Sequence, residues 1–255
     1  MNSLLPVIYR NRIFTPKVLS DETGRTKTGI AKTLQRLVKA GAIRKVRRDL
    51  YCAVDMGTGY TAANRYEIAS SVTPTAHIGY HTALEYLGIA HQPFYTVFVV
   101  TGAQTNPFHF EDLEFRPCRE TIGDLGVQTL PTDPLVRTTD LERTIVDCCD
   151  KTELAGGAEE LAHCLEGVYA LDENKLRQYL AAYGKAFLYQ KTGYMLQRIQ
   201  KQAGISDNFI FFCWEKGHKN VKKFTNTDES DIYDSHWNLY VPNIISQKEE
   251  LNEII

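Results

Sequence analysis

The sequence predicts an α+β protein in two parts: a small N-terminal domain, and a larger mixed α/β domain with a mostly helical second half. Two helical patterns and a strand-like pair occupy residues 14–54. Short runs rich in β-branched and aromatic residues fill residues 94–138, and apolar residues at helical spacing follow in residues 139–205. Because the helices follow the strands instead of alternating with them, the larger part belongs to the mixed class.

The first predicted helix begins at a proline that follows a good N-cap residue. Thr15 can cap the helix, and Pro16 suits its first position, where no backbone N–H is needed. Val18 and Leu19 give this helix an inner face, and Gly24 ends it. The pattern therefore predicts a short helix between Pro16 and Gly24.

A second, amphipathic helix follows. Its apolar stripe, at positions i, i+4, i+7 and i+8, consists of Ile30, Leu34, Leu37 and Val38. Gly41 is typical of the residue that follows a helix. Two short helices that are joined by a turn containing glycine predict a helix-turn-helix.

Strand-like residues come directly after Gly41. Ile43, Val46 and residues 50–54 suit a two-stranded hairpin, with residues 47–49 as its connection. A hairpin in this position is a wing. Residues 1–55 are therefore predicted to form a winged helix-turn-helix DNA-binding domain.

Charge is distributed unevenly along the chain. Residues 1–51 hold twelve Lys and Arg against three Asp and Glu, whereas the rest holds seventeen against twenty-eight. A basic end on an acidic body is typical of nucleic-acid binding. The net charge of −2 conceals this asymmetry.

The N-terminal end of a recognition helix reaches base edges in the major groove, while other cations contact phosphates. We expect residues 25–28 to meet bases and the remaining cations, on the helix and at the hairpin tip, to grip the backbone. The predicted DNA-binding residues are Arg25, Thr26, Lys27, Thr28, Lys32, Arg36, Lys45, Arg47 and Arg48. The predicted partner is double-stranded DNA, bound in a steeply salt-dependent way.

The segment MGTGYT reads as a linker, so the second domain is predicted to cover residues 61–255. Its first half has two helical patterns and then strand-like runs. The helical patterns are residues 62–72 and 81–87, and the strand-like runs are residues 94–100, 108–110, 113–115, 127–130 and 135–138.

The second half is predicted to be helical up to about residue 205. Thr139 and Glu142 form a capping-box pattern that opens the segment TDLERTIVDCCD, and Asp172 suits the N-cap of a later helix. Apolar stripes support further helices. They consist of Leu161, Leu165 and Val168; of Leu176, Leu180 and Tyr183; and of Leu188, Met195 and Ile199. Two final strands, NFIFFCW and WNLYVP, are predicted around a polar loop.

The sequence favours no metal site, cofactor or catalytic residue. His77 and His81 are four residues apart, but a proline and a glycine nearby argue against one helix through both, so packing is the favoured role. Arg143 and Asp147 have the spacing of an ordinary helical ion pair. Six cysteines without a CxxC pair suggest reduced, buried thiols.

Two other classes of function stay open. A nuclease directed to DNA by the same N-terminal domain would need an acid and an E-x-K pair on neighbouring strands, but Glu215 and Lys216 are adjacent. An interaction module could instead bind a partner protein through the acidic body. No apolar run is long enough for a membrane span, and no secretory signal is recognisable, so we expect a cytoplasmic protein without a membrane partner.

The order of several segments resembles the AbiEi-type antitoxins, a family of transcriptional regulators. The segments are RKVRRDLY, YHTALEYLGI, FYTVFVVT, LERTIVDCCD and AGGAEEL, and the resemblance covers roughly residues 5–205. One departure is the hairpin connection, where Asp49-Leu50 replaces a frequent glycine before the final tyrosine.

This resemblance implies a type IV toxin–antitoxin system. The N-terminal domain would bind inverted repeats in the operon promoter and repress transcription. The C-terminal domain would counteract a nucleotidyltransferase-type toxin without needing direct contact. The family also includes stand-alone regulators, so a winged-helix regulator with no toxin is the alternative.

Overall fold

The computed structural model describes residues 4–217, 219–226 and 231–246. The chain forms two compact units. Unit 1 contains Met1–Ile78, Tyr95–Arg119 and Thr129–Arg137, and unit 2 contains Gly79–Phe94, Glu120–Gln128 and Thr138–Ile255. The mixed α and β fold class is confirmed. The predicted boundary at residues 55–61 falls inside unit 1, and the two-domain division it marks stays a prediction.

The described helices and strands follow one another as the sequence broadly predicts. The helices are α1 (Leu4–Asn11), α2 (Pro16–Thr23), α3 (Lys27–Lys39), α4 (Arg65–Ser70), α5 (Tyr80–Tyr86), α6 (Leu141–Asp150), α7 (Ala158–Leu165), α8 (Glu173–Tyr183), α9 (Ala186–Gln197), α10 (Gln200–Ala203) and α11 (Asp207–Lys216). The strands are β1 (Ile13–Phe14), β2 (Ile43–Arg47), β3 (Leu50–Ala53), β4 (His77–Ile78), β5 (Thr96–Thr101), β6 (Phe108–Phe110), β7 (Leu113–Arg119), β8 (Val127–Leu130), β9 (Asp133–Thr139), β10 (Lys222–Lys223), β11 (Asp231–Asp234) and β12 (Leu239–Pro242). A 3₁₀ turn covers Thr152–Ala155.

The N-terminal elements of unit 1 pack α1, α2 and α3 on a small antiparallel sheet of order β1-β3-β2. The Thr15 side chain accepts a hydrogen bond from the Val18 N–H, and Gly24 adopts the left-handed conformation that ends α2, so both predicted helix ends are confirmed. Helix α1 was not predicted. Its apolar residues form a short patch, and Pro6 interrupts the helical pattern.

Unit 1 also holds most of a six-stranded sheet of order β6-β7-β5-β4-β9-β8. Strands β5 and β7 run parallel, whereas β6 and β7 form a hairpin. Five of the six residues of β5 are buried, as its continuous apolar run predicts. Strand β8 has the bounds that the sequence predicts, and β9 starts two residues earlier than expected.

Unit 2 is mainly helical, and it corrects two predictions. The segment NFIFFCW is the helix α11, not a strand: Ser206 caps it, and Phe209, Ile210 and Cys213 line its buried face at helical spacing. Glu215 and Lys216 therefore lie on a helix. Short apolar runs are ambiguous between strand and helix, and here the cap decides.

The second correction concerns the start of α6. Asp140, not Thr139, is the N-cap, because its carboxylate accepts a hydrogen bond from the Arg143 N–H at 2.9 Å. Glu142 is consequently no capping-box partner, and its carboxylate accepts instead from the Asp172 N–H at 2.9 Å. Asp172 caps α8 as predicted.

The C-terminal part of the described chain forms a small sheet of order β10-β12-β11. Strand β12 confirms the predicted strand in WNLYVP. The predicted polar loop falls partly on residues 227–230, outside the described residues, and its Asp231–Asp234 portion is the strand β11. None of the helices that the structure describes is both long and apolar enough to cross a membrane.

Gly193 marks a close approach within unit 2. A Cβ atom added there would overlap the Trp237 ring and lie 2.7 Å from Cβ of Cys213 on α11. We expect Gly193→Ala to lower the free energy of unfolding by about 1–3 kcal/mol, because overpacking outweighs the better helix propensity of alanine. Urea denaturation measures the change, and a stabilised variant would show that α9 and α11 have room to separate.

Candidate nucleic-acid interface

Helix α3 has one buried face and one exposed face. Ile30, Leu34 and Leu37 are buried in the core of the N-terminal elements, which fixes the rotation of the helix. The Thr26 side chain accepts a hydrogen bond from the Gly29 N–H at 3.3 Å and caps the first turn. The opposite side of the helix is therefore presented to solvent.

A set of exposed cations occupies α3 and the following strand, and we call it the basic face. It consists of Lys27, Lys32, Arg36, Lys39 and Lys45. None of these side chains has a hydrogen bond or ion pair with any residue that the structure describes. Like charges held together on a folded surface repel one another, and a polyanion would relieve that repulsion. The basic face therefore favours an anionic partner.

The residues predicted to contact DNA divide by exposure into two groups. The exposed group consists of Thr26, Lys27, Thr28, Lys32, Arg36, Lys45 and Arg48. Arg25 and Arg47 are half-buried. The backbone carbonyl of Arg25 accepts a hydrogen bond from the Ser20 hydroxyl at 2.9 Å, which ties the turn between α2 and α3. Residues 25–28 thus lie together at the start of α3, as predicted from the sequence.

The two arginines at the hairpin tip have different surroundings. Arg47 donates a 2.5 Å hydrogen bond to the Thr105 hydroxyl, and its guanidinium lies 5.2 Å from the centre of the Phe108 ring. The Arg48 side chain is 92% exposed and has only a 3.7 Å contact with Asp49. Arg48 is therefore the more accessible cation, while Arg47 also fastens the hairpin to the strand β6 and the loop before it.

Other basic residues of the N-terminal segment hold unit 1 together. Arg12 forms an ion pair of 2.5 Å with the buried Glu67, and Arg44 forms one of 2.6 Å with Glu111. Arg44 also donates to the Gly59 carbonyl at 3.0 Å. Part of the N-terminal positive charge is thus used inside unit 1, whereas the basic face has no such partner among the residues that the structure describes.

A buried polar network surrounds Arg143 in unit 2. The Arg143 side chain is 1% exposed. Its guanidinium donates hydrogen bonds to the Asp147 carboxylate at 2.6 Å, to the Glu120 carboxylate at 3.0 Å and to the Leu125 carbonyl at 2.6 Å. Tyr183 donates to the same Asp147 oxygen at 2.6 Å. Burial raises the pKa of Asp147 to about 6, although the Arg143 charge and the Tyr183 hydroxyl both act to lower it. The arrangement anchors residues 120–125, and Arg143 and Asp147 form the predicted pair in a buried setting.

A second polar cluster in unit 2 was missed by sequence reasoning. His81, Glu160 and Cys164 are buried, and their ligand-type atoms lie within 4.8 Å of one another. Glu160 and Cys164 are one helical turn apart on α7, a spacing that was the only signal in the sequence. His77 lies on β4 and His81 on α5, so no single helix runs through both histidines, as the nearby proline and glycine predict.

The carboxylate of Glu160 is the centre of this cluster. Its Oε1 atom faces His81 Nε2 at 3.1 Å and Cys164 Sγ at 3.4 Å, and it accepts the backbone N–H groups of His91 and Gln92 at 3.2 and 3.3 Å. Burial acts to raise the pKa of Glu160, but these hydrogen bonds and the neighbouring imidazole outweigh it and lower the pKa. All six cysteines of the chain, Cys164 included, are free and buried, as predicted.

Sequence comparison identifies no relative of this chain. No protein-family model matches the chain, and no curated protein matches it in sequence. The resemblance to the AbiEi-type antitoxins therefore stays a prediction. What can be inferred about function rests on the basic face and on the elements that present it.

Proposed function

We propose that this protein is a DNA-binding transcriptional repressor whose N-terminal elements act as a winged helix-turn-helix. The observation that carries the proposal is the basic face, a set of exposed cations without partners among the described residues. The order α1, β1, α2, α3, β2, β3, with a sheet of order β1-β3-β2, supports it. Helix α3 is then the recognition helix, and the β2–β3 hairpin is the wing.

The chemistry of α3 suits the major groove of duplex DNA. The groove admits one helix, and the residues at its N-terminal end reach base edges. Lys27 can donate to the O6 and N7 atoms of guanine, and Thr28 can contact a base edge or a thymine methyl group. Lys32 and Arg36 lie further along the exposed side, where they can bind phosphates.

The β2–β3 hairpin would contact the sugar–phosphate backbone beside the groove. Asp49 adopts a positive φ of 58°, so the tip turns tightly without the glycine that is frequent in the resembling family. Lys45 and Arg48 are exposed on this hairpin. Their contacts would orient the protein without reading sequence.

The resemblance to the AbiEi-type antitoxins supports a finer proposal. The protein would repress the promoter of a toxin–antitoxin operon and act as the antitoxin to a nucleotidyltransferase-type toxin, without direct contact between the two proteins. Unit 2 and the six-stranded sheet would carry the antitoxin role. A stand-alone regulator is the alternative, and co-expression with the neighbouring gene separates the two.

The experiment that tests the repressor is gel-shift binding to the DNA upstream of its own gene, compared with a shuffled duplex of the same length. We expect tight binding that prefers the upstream DNA. With about six phosphate contacts, affinity should fall roughly 10³-fold between 50 and 200 mM salt. Equal binding to both duplexes would contradict the repressor, and cleavage of either duplex on addition of Mg²⁺ would indicate a nuclease.

A further inference from the structure

The cluster around Glu160 places a buried imidazole between two carboxylates. The imidazole is fully buried, with Nε2 3.1 Å from Glu160 Oε1 and Nδ1 3.8 Å from Glu85 Oε1. A neutral imidazole has one N–H and one lone pair, so one of its nitrogens must turn a lone pair towards a carboxylate. Nδ1 also has no hydrogen-bond partner in the described structure. A metal ion on the Nε2 side would take up the lone pair of that nitrogen and leave the Nδ1 N–H to point towards Glu85.

Two further ligand atoms converge on the same carboxylate. Cys164 Sγ lies 3.4 Å from Glu160 Oε1, and His91 Nδ1 lies 3.4 Å from Glu160 Oε2. Zinc binds nitrogen, sulfur and oxygen ligands at about 2.0–2.3 Å, so the edges of its coordination tetrahedron measure about 3.3–3.7 Å. The distances from Glu160 Oε1 to His81 Nε2, 3.1 Å, and to Cys164 Sγ, 3.4 Å, are close to those edges, whereas His91 approaches the other carboxylate oxygen.

From this geometry we propose that unit 2 contains a structural zinc site formed by His81, Glu160 and Cys164, whose ligand atoms all lie within 4.8 Å of one another. His91, whose Nδ1 lies beside the other oxygen of Glu160, would complete the site by a movement of its exposed side chain. Helix α5 supplies His81, the segment after it supplies His91, and one turn of α7 supplies Glu160 and Cys164. A zinc ion at this point would tie the three segments together. Binding also releases the Cys164 proton, since the thiolate is the ligand.

The surroundings of the cluster suit such a site. Phe94 stacks on the His81 ring at 3.6 Å between centroids and holds its orientation. The Glu85 carboxylate lies on the Nδ1 side, where the outer partner of a zinc-bound histidine normally accepts its second N–H. His91 is 58% exposed, so an ion can enter from its side, while the other three ligands are buried.

The rival explanation is a purely structural hydrogen-bond network centred on Glu160. In that case Cys164 acts only as a thiol donor, and His81 forms a direct hydrogen bond with Glu160. Both explanations keep the three segments together, so the stability of the fold alone does not distinguish them. Bound metal in a stoichiometric amount distinguishes them.

The experiment uses the full chain, stripped with a chelator, dialysed, and supplied with one equivalent of Zn²⁺. We expect one zinc per chain to remain bound through gel filtration, measured by elemental mass spectrometry. Zinc at about 100 times its Kd should raise the Tm by about 5–10 °C, and Mg²⁺ should not. A chain that retains no zinc, or one that Mg²⁺ stabilises equally, would overturn the proposal.

Two variants locate the ion. Cys164→Ser keeps a hydrogen-bond donor towards Glu160 but removes the thiolate, and His91→Ala changes a side chain that is 58% exposed. Loss of an outer partner alone weakens metal binding 10–100-fold, so we expect each variant to weaken zinc binding at least 100-fold. Cys118→Ser and His109→Ala are the matched controls and should bind normally. Unchanged affinity in both ligand variants would show that zinc binds elsewhere.

Discussion

Replacing Lys32 and Arg36 together with alanine should lower the affinity for the upstream DNA and for unrelated duplex by the same factor. Both side chains are exposed on α3 and have no partner among the described residues, so the change removes the two proposed phosphate contacts without disturbing the fold. Each contact changes the slope of log K against log salt by about 0.9. We therefore expect about 60-fold weaker binding at 0.1 M salt, and a slope that is smaller by about 1.8.

The measurement is fluorescence anisotropy with both duplexes at several salt concentrations. A matched control removes two exposed lysines from unit 2, Lys201 and Lys216, and should leave the affinity and the slope nearly unchanged. Equal losses in the two double variants would mean that DNA responds to net charge alone. A loss confined to the upstream duplex would mean that Lys32 and Arg36 read bases and not phosphates.

Local signals in the sequence predicted much of the fold, because helix ends are determined by residues that are close in the chain. Thr15 and Asp172 cap the helices where expected, and the β8 run has the observed bounds. The wrong prediction of a strand at α11 also arises from local signals. Six apolar and aromatic residues in succession, Phe209 to Trp214, satisfy either period, and the decisive cap, Ser206, lies three residues before them.

What the sequence could not predict depends on residues that are distant in the chain. Arg47 and Arg48 are neighbours of the same type, yet only Arg47 packs against Phe108. No local sequence pattern predicts this contact, because Phe108 is distant in the chain. His81 and Glu160 are 79 positions apart. The same limit applies to the units, since each is assembled from separated segments that alternate along the chain.

Replacing Arg143 with methionine should destabilise the protein by about 3–5 kcal/mol. The change leaves the Asp147 carboxylate, itself 1% exposed, without its cation, and it removes the donor to the Leu125 carbonyl. Urea denaturation measures the loss. Lys185→Ala is the comparison variant: its ion pair with Asp150 is half exposed, so its cost should stay below about 1 kcal/mol.

A double variant tests whether the orphaned charge causes this loss. Arg143→Met with Asp147→Asn removes both charges but keeps an acceptor for the Tyr183 hydroxyl. Because breaking one side of a buried pair costs more than removing both, the double variant should be more stable than Arg143→Met alone. If the double variant is no more stable than Arg143→Met alone, the loss of stability would come from packing and from the unpaired Leu125 carbonyl.

The pH dependence of Arg143→Met provides an independent check on the same cause. Burial already raises the pKa of Asp147 to about 6 in the native protein, and without the Arg143 charge it should rise further. A folded-state pKa above the unfolded value means that the folded state binds more protons, so its contribution to stability is present at low pH and lost as the pH rises through the folded pKa. The deficit of Arg143→Met relative to the native protein should therefore be smaller at pH 5 than at pH 8. An equal deficit at both values would mean that Asp147 is neutral, or hydrated, once the arginine is gone.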